Sequence, residues 1–120
     1  MRPIVTGIGA AALLVTVIHA QSPRYVLQDL GTLPGGTFSQ ASDVTDSGVF
    51  AGLSSASDGT QHAVLWINGR PFDIARGGLG GPNSGAFGIN EWGGVSIQAE
   101  TSASDPYGED FCGYGSHLTY

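Results

Sequence analysis

The chain has 120 residues, ten acidic against four basic, no lysine, a net charge of −6 and twenty glycines. That length holds one small domain at most. The scarcity of positive charge excludes phosphate-led nucleic-acid binding and disfavours an anionic membrane surface. The glycines argue against a helical domain, since each costs about 1 kcal/mol in a helix interior relative to alanine.

Met1-Arg2-Pro3 is a short positive start, Ile4 to Ile18 an apolar run, and Ala20 a small residue just before the composition turns polar at Gln21. This pattern predicts a signal peptide over residues 1–20, export to the cell exterior or surface, and no membrane span after cleavage. The run contains glycine and falls short of the roughly 20 strongly apolar residues that a spanning helix needs. The exported part carries three arginines against ten acidic residues, a charge of −7.

Tyr25 to Leu30 is rich in strand formers and stops where Leu33-Pro34-Gly35-Gly36 predicts a turn. Further strands are predicted at Gln40–Thr45 and Val49–Leu53, where Gly52 marks a bulge or the close approach of another backbone. His62–Ile67 is the clearest strand, bounded by the hairpin dipeptides Asp58-Gly59 and Asn68-Gly69. Pro71–Ile74 follows. Residues 29 to 74 therefore hold about four short strands with the spacing of a meander.

The segment Asp29 to Ala41 then returns, degraded, as Asp73 to Ala86. Setting Gly35-Gly36 on Gly80-Gly81 gives an offset of 45 that also aligns Ser39 with Ser84, Ala41 with Ala86, Val44 with Ile89, Asp46 with Glu91 and Gly48 with Gly93. A period in the forties is that of stacked supersecondary units, often four-stranded. The expected fold is all-β: antiparallel meander repeats, propeller-like blades of about 45 residues, roughly one and a half units. The expected division is 21–74 for the first unit and 75–120 for a second, incomplete one. Val95–Ala99 is its third strand, with Ile97 where Gly52 stood, and Glu100 to Ser116 an elongated acidic loop.

These residues resemble the HAF-type extracellular repeat, a family of secreted bacterial tandem β-repeat proteins. The resemblance rests on Asp29, Leu30, Gly31 and Leu33, on the turn pairs Gly35-Gly36 and Leu79-Gly80-Gly81, on the Ser39-x-Ala41 and Ser84-x-Ala86 pairs, on His62-Ala63-Val64-Leu65-Trp66, and on Ile89-Asn90-Glu91-x-Gly93. It covers essentially everything after residue 24. Val64 replaces the phenylalanine of the family triplet, Val44-Thr45 stands where Ile-Asn is usual, and Ile97 replaces glycine. The resemblance implies further repeats beyond Tyr120, so that the chain is read as part of a longer repeat protein. It also implies a second cysteine near position 120 as the lost disulfide partner of Cys112.

Chemistry-bearing residues are few. A nucleophilic role for Cys112 would need a base such as His117 and a lowered pKa, and an orphaned disulfide half is the preferred reading. His62 is expected to cap a turn or pack, because no His/Cys spacing supports zinc. Asp105, Glu109 and Asp110 are the candidate calcium ligands, although the alternating pattern of an EF-hand loop is missing and a solvated loop is preferred. Gly77-Gly78-Leu79-Gly80-Gly81 lacks a phosphate-binding lysine. Trp66, Trp92, Phe38, Phe50, Phe72 and Phe87 are expected to pack between blades rather than form a sugar-stacking platform. The leading functional expectation is a secreted, non-enzymatic module with a structural or surface-interaction role and no cofactor. Its partners would be an unknown extracellular ligand, further repeats, or copies of itself joined through open sheet edges. The alternatives are an amino-terminal piece of an extracellular propeller enzyme, such as a carbohydrate-active hydrolase, and a calcium-assisted adhesion module.

Overall fold

The structure is a computed structural model and describes residues 22–75, 78–109 and 117–119. The expected signal segment 1–20, Arg76 and Gly77, and Asp110 and Cys112 lie outside the described residues.

Within them the chain is all-β, with no helix and every strand pairing antiparallel. Strands β1 (Ser39–Val44), β2 (Phe50–Ser55), β3 (Gln61–Ile67) and β4 (Arg70–Asp73) form a four-stranded meander. Strands β5 (Gly80–Ile89), β6 (Val95–Ser104) and β7 (His117–Thr119) form a second sheet in the order β5-β6-β7. Hairpin chemistry sets the first sheet. Asn68 and Gly69 both take positive φ, 52° and 74°, which turns β3 into β4 in two residues.

The two sheets repeat one another in register. Ala41 faces Gly52 as Ala86 faces Ile97, and Val44 faces Phe50 as Ile89 faces Val95. A bulge falls at the same place in both, between Ala41 and Asp43 and between Ala86 and Gly88. The connecting turn is also repeated: Thr45 N–H donates to Val49 O at 3.0 Å and Asn90 N–H to Gly94 O at 2.9 Å. Thr45 Oγ1 accepts from Val49 N at 3.0 Å, as Asn90 Oδ1 accepts from Gly94 N at 2.7 Å. A hydroxyl thus does in the first sheet what an amide oxygen does in the second.

Each sheet has two usable faces, because side chains alternate along a strand. One face of the first sheet carries Val64 and Trp66, covered by Leu33 and flanked by Leu30 and Phe50. The opposite face presents Ala51 and Ala63, which are fully buried against Ala86 of β5, with Leu65, Ile74, Ala75, Ile89 and Val95 around them. Small residues on both sides allow the sheets to come close. On β1 the equivalents of buried Ser84 and Ala86 are only half-buried at Ser39 and exposed at Ala41.

Gly52 meets the close approach expected of it. A Cβ there would lie 2.0 Å from Gln40 O and 2.9 Å from Ala41 Cα, both backbone atoms of β1. Gly36 and Gly81 are a repeat-related pair of the same kind, their added Cβ falling 2.0 Å from Ser55 O and 2.4 Å from Glu100 Cβ. Gly52→Ala should therefore loosen β1 and cost about 1–3 kcal/mol, the usual penalty of overpacking. Urea unfolding together with amide exchange on β1 measures this, and an unchanged midpoint would show that β1 yields freely. In the second sheet the equivalent Ile97 is accommodated with 38% of its surface exposed.

Three expectations are corrected. Tyr25–Leu30 is not a strand; Tyr25, Val26 and Leu27 are exposed, and none of the described strands pairs with that segment. The segment expected as a loop from Glu100 begins instead as strand: β6 runs on to Ser104 and Glu100 is buried. Its cause is Asn83, which supplies the carboxylate with two donors. The aromatic residues do not act together, because only Trp66 is buried and Phe50 is partly so. Phe38, Phe72 and Phe87 are about half exposed and Trp92 is 92% exposed at a turn. Leu33 lies in the core, whereas Leu79 is mainly exposed.

Candidate functional site: the joint between the sheets

The joint begins with an aspartate that bends the chain. Asp29 Oδ1 accepts from Gly31 N at 2.8 Å, and Asp73 Oδ1 accepts from Ala75 N at 3.2 Å, so the two segments open with the same side-chain turn. The next residue then packs inward, Leu30 on the Leu33, Val64 and Trp66 cluster and Ile74 on the Ala51, Ala63 and Ala86 cluster between the sheets. In the first copy the Leu33-Pro34-Gly35-Gly36 turn closes through Gly36 N to Leu33 O at 2.9 Å, with Gly35 at φ +75°. Leu33 N donates to Ser54 Oγ, and the Trp66 indole N–H donates to Gly31 O at 3.2 Å. Gly80, at φ +102°, starts β5 in the second copy; Leu79 makes a parallel bridge with Thr101.

Among the described residues, four hydrogen bonds cross from sheet to sheet. Ala63 N donates to Ser84 Oγ at 2.9 Å and Gln61 N to Asn83 Oδ1 at 2.9 Å. Ile89 N donates to Asp43 Oδ2 at 3.0 Å, and Asp46 N to Glu91 Oε1 at 2.8 Å. Asn83 is held from behind: its N–H and Nδ2 donate to Glu100 Oε2 at 2.9 and 2.8 Å, which fixes its amide oxygen toward Gln61. Asn83, Glu100 and Asp43 carry this joint and were not singled out from sequence. Their partners lie 17 to 46 residues away, and no local motif marks them.

Along the same seam runs an open cleft of about 480 Å³ lined by Asp43, Gly88, Ile89, Asn90, Gly94, Val95 and Ser96. Asn90 and Gly93 build the turn at its end, and Trp92 projects from that turn into solvent. The Ile89 N–H, and after it the Val44 N–H, hold the Asp43 carboxyl below its ordinary value of 3.8. A carboxyl with a depressed folded value contributes stability that is complete above its unfolded pKa and is lost as pH falls through the folded one. Asp43→Asn should therefore flatten the loss of stability below about pH 3.8. Thermal melts of both forms from neutral to acid pH read this, and parallel curves would show that the Ile89 contact carries no linkage.

His62 lies at the far side of β3. Its Nδ1 is 2.6 Å from Asp73 Oδ2 on β4, and its Nε2 is 2.9 Å from Thr60 Oγ1. The hydroxyl, ring and carboxylate stand in line as in a nucleophilic triad. However, the Thr60 hydroxyl donates to Asp58 Oδ1 at 2.6 Å, so its single hydrogen is directed to that carboxylate and not to the ring. The Thr60 hydroxyl, followed by the Thr60 N–H, keeps the Asp58 carboxyl low. This line of contacts fastens the 56–60 turn to β4, the capping role expected of His62.

Asp105 accepts from Tyr107 N with Oδ1 and from Glu109 N with Oδ2, at 3.0 and 3.1 Å, so both oxygens are engaged in its own turn. Among the described residues no three His, Cys, Asp or Glu side chains gather as a metal site, and no helix is long and apolar enough to cross a membrane. The structure thus brings Asp29, Leu30, Gly31, Leu33, Gly35, Gly36 and Trp66 together on one sheet. Gly80, Gly81, Asn90 and Gly93 belong to the other, and Asp105 and Glu109 stand apart from both. No family model matches the chain, and neither does any curated protein or solved structure.

Proposed function

We propose that the chain is a secreted, non-enzymatic β-repeat module, propeller-like in its units, that serves a structural or surface-interaction role. The observation that carries this is the stacking of two sheets with the same register, bulge and turn, the joint of one opening with the same aspartate turn as the other. Stacked units of this kind present long seams and loops, and the seam here offers a cleft edged by Asp43, Asn90 and Ser96, with Trp92 exposed on the adjoining Asn90–Gly94 turn. An exposed indole on a turn that adjoins hydroxyl, amide and carboxylate groups suits an extracellular ligand such as a glycan.

The polar groups that resemble catalytic ones are committed to the fold, which supports a binding rather than a reacting surface. Asp43 holds Ile89, and Asp58 holds Thr60. A glycan array probed with the labelled protein tests the reading. Retention that falls on Trp92→Ala, with no release of product from the retained glycans, is expected. Turnover of an arrayed glycan would overturn it, as would binding indifferent to both Trp92→Ala and Asn90→Ala.

A further inference from the structure

The line Asp58, Thr60, His62, Asp73 fixes where its hydrogens lie. A hydroxyl has one hydrogen, and that of Thr60 goes to Asp58 Oδ1 at 2.6 Å. Thr60 Oγ1 therefore meets His62 Nε2, 2.9 Å away, as an acceptor, and that nitrogen carries a hydrogen. On the other side of the ring Nδ1 lies 2.6 Å from Asp73 Oδ2, a carboxylate oxygen, and donates as well. A neutral imidazole has a single N–H, so a ring that donates from both nitrogens is an imidazolium. Among the described residues the charged groups that face it are Asp73, directly from β4, and Asp58, through Thr60 from the 56–60 turn. β2 places Ser54 opposite His62, and Arg70 stands at the far end of β4 opposite Ile67. β5 meets this end of β3 with the Asn83 amide at Gln61 N, and Glu100 lies behind that amide.

We propose that His62 is a proton-dependent latch on the 56–60 turn, in which the charge on the ring decides whether the Thr60 hydroxyl is bound to Asp58 or to His62. When the ring gives up one proton, Nδ1 keeps its hydrogen, because a carboxylate is a stronger acceptor than a hydroxyl. Nε2 then turns a lone pair toward Thr60 Oγ1, and that contact survives only if the hydroxyl swings its hydrogen from Asp58 to the ring. Asp58 Oδ1 loses the Thr60 hydroxyl and keeps the Thr60 backbone N–H at 3.0 Å. The side-chain tie that braces the turn from within is thereby undone. The turn itself is closed by Ala56 N to Thr60 O at 2.8 Å and Gly59 N to Ala56 O at 3.0 Å. It is seated on the joint, where a Cβ added to Gly35 would fall 2.6 Å from Ser57 Cβ. A change of charge on one half-buried ring is in this way passed to the Leu33–Gly36 turn. The latch is independent of what the seam binds.

The test is an NMR titration of the isotope-labelled full chain from about pH 5 to 8, the span over which histidine side chains change charge. It follows the two ring nitrogens of His62, the side-chain carboxyl carbon of Asp58 and the amides of Gly59 and Thr60. At the acid end both ring nitrogens should carry hydrogen, and at the alkaline end only Nδ1. The Asp58 carboxyl and the Thr60 amide should move with the same midpoint as the ring. Protection of the Gly59 and Thr60 amides, taken against an unstructured peptide at the same pH, should fall about threefold or more across that midpoint. Thr60→Val keeps the shape of the side chain and removes the hydroxyl, so the ring should still titrate while Asp58 no longer follows it. Thr60→Ser should restore the coupling, and His62→Gln should leave Asp58 and Thr60 without a step. A ring with one N–H at the acid end overturns the latch, as does an Asp58 signal that ignores the ring or follows it equally well in Thr60→Val.

Discussion

Trp66→Ala should unfold the first sheet at a urea concentration far below that of the parent, with a loss of about 3–5 kcal/mol. A small domain holds only about 5–15 kcal/mol in total, so such a loss removes much of it. The reason is position as well as size. Trp66 is 1% exposed, packs on Leu33 and Val64, and reaches back with its indole N–H to Gly31 O. It therefore fixes both the face of β3 and the path of the joint. Fluorescence gives a direct check, because the other indole, Trp92, is almost wholly in water. The variant should show only a solvent-like emission. Trp66→Phe retains most of the packing and loses the hydrogen bond, and should cost about 0.5–1.5 kcal/mol for that bond beyond its change in volume. Equal stability of Trp66→Ala and the parent would mean that the core of the first sheet lies elsewhere.

Much of the meander was legible because its signals are local. Asp58-Gly59 and Asn68-Gly69 announce hairpins, the apolar run from Ala63 to Trp66 announces the strand between them, and Gly52 announces the crowded crossing with β1. The offset of 45 was also visible, and the structure repeats it in register and bulge. What failed was whatever depends on a distant partner. Tyr25–Leu30 has the composition of a strand, yet a strand needs an edge, and composition does not report one. Glu100 looks like the start of a solvated loop until Asn83 is placed beside it. Leu79 matches Leu33 in a glycine-rich context, but the second copy carries an extra residue, and Ile74 rather than Leu79 fills the space between the sheets. The aromatic residues were assigned to packing by type; Trp92 sits instead on a turn whose geometry Asn90 sets, where the ring has nothing to cover.

Asn83→Ala should separate the sheets more effectively than any substitution of comparable size on the surface. Asn83 is the link between a buried carboxylate and the neighbouring sheet: Glu100 receives its N–H and Nδ2, and its Oδ1 receives the N–H of Gln61. Alanine keeps the backbone donor but removes the other two contacts. Hydrogen bonds to a charged group contribute about 1.5–3 kcal/mol each, and the Gln61 amide, left without this acceptor, adds to the loss. Beyond the hydrogen bonds to Ser84, Asp43 and Glu91, the sheets meet around Ala51, Ala63 and Ala86, which bring the backbones close but bury little side-chain area apiece. The expected consequence is uncoupling, in which exchange of β5 and β6 amides accelerates while that of β2 and β3 changes little. Glu100→Gln in the same background isolates the pair. If Glu100 acts through Asn83, the double variant loses less than the two single losses added together, by about 0.5–3 kcal/mol. Asn83→Asp makes the opposite change, placing an acidic oxygen where the amide nitrogen faced Glu100, and should be the most damaging of the three. Strict additivity, or an Asn83→Asp form as stable as the parent, would show that the joint is held without the Asn83–Glu100 pair.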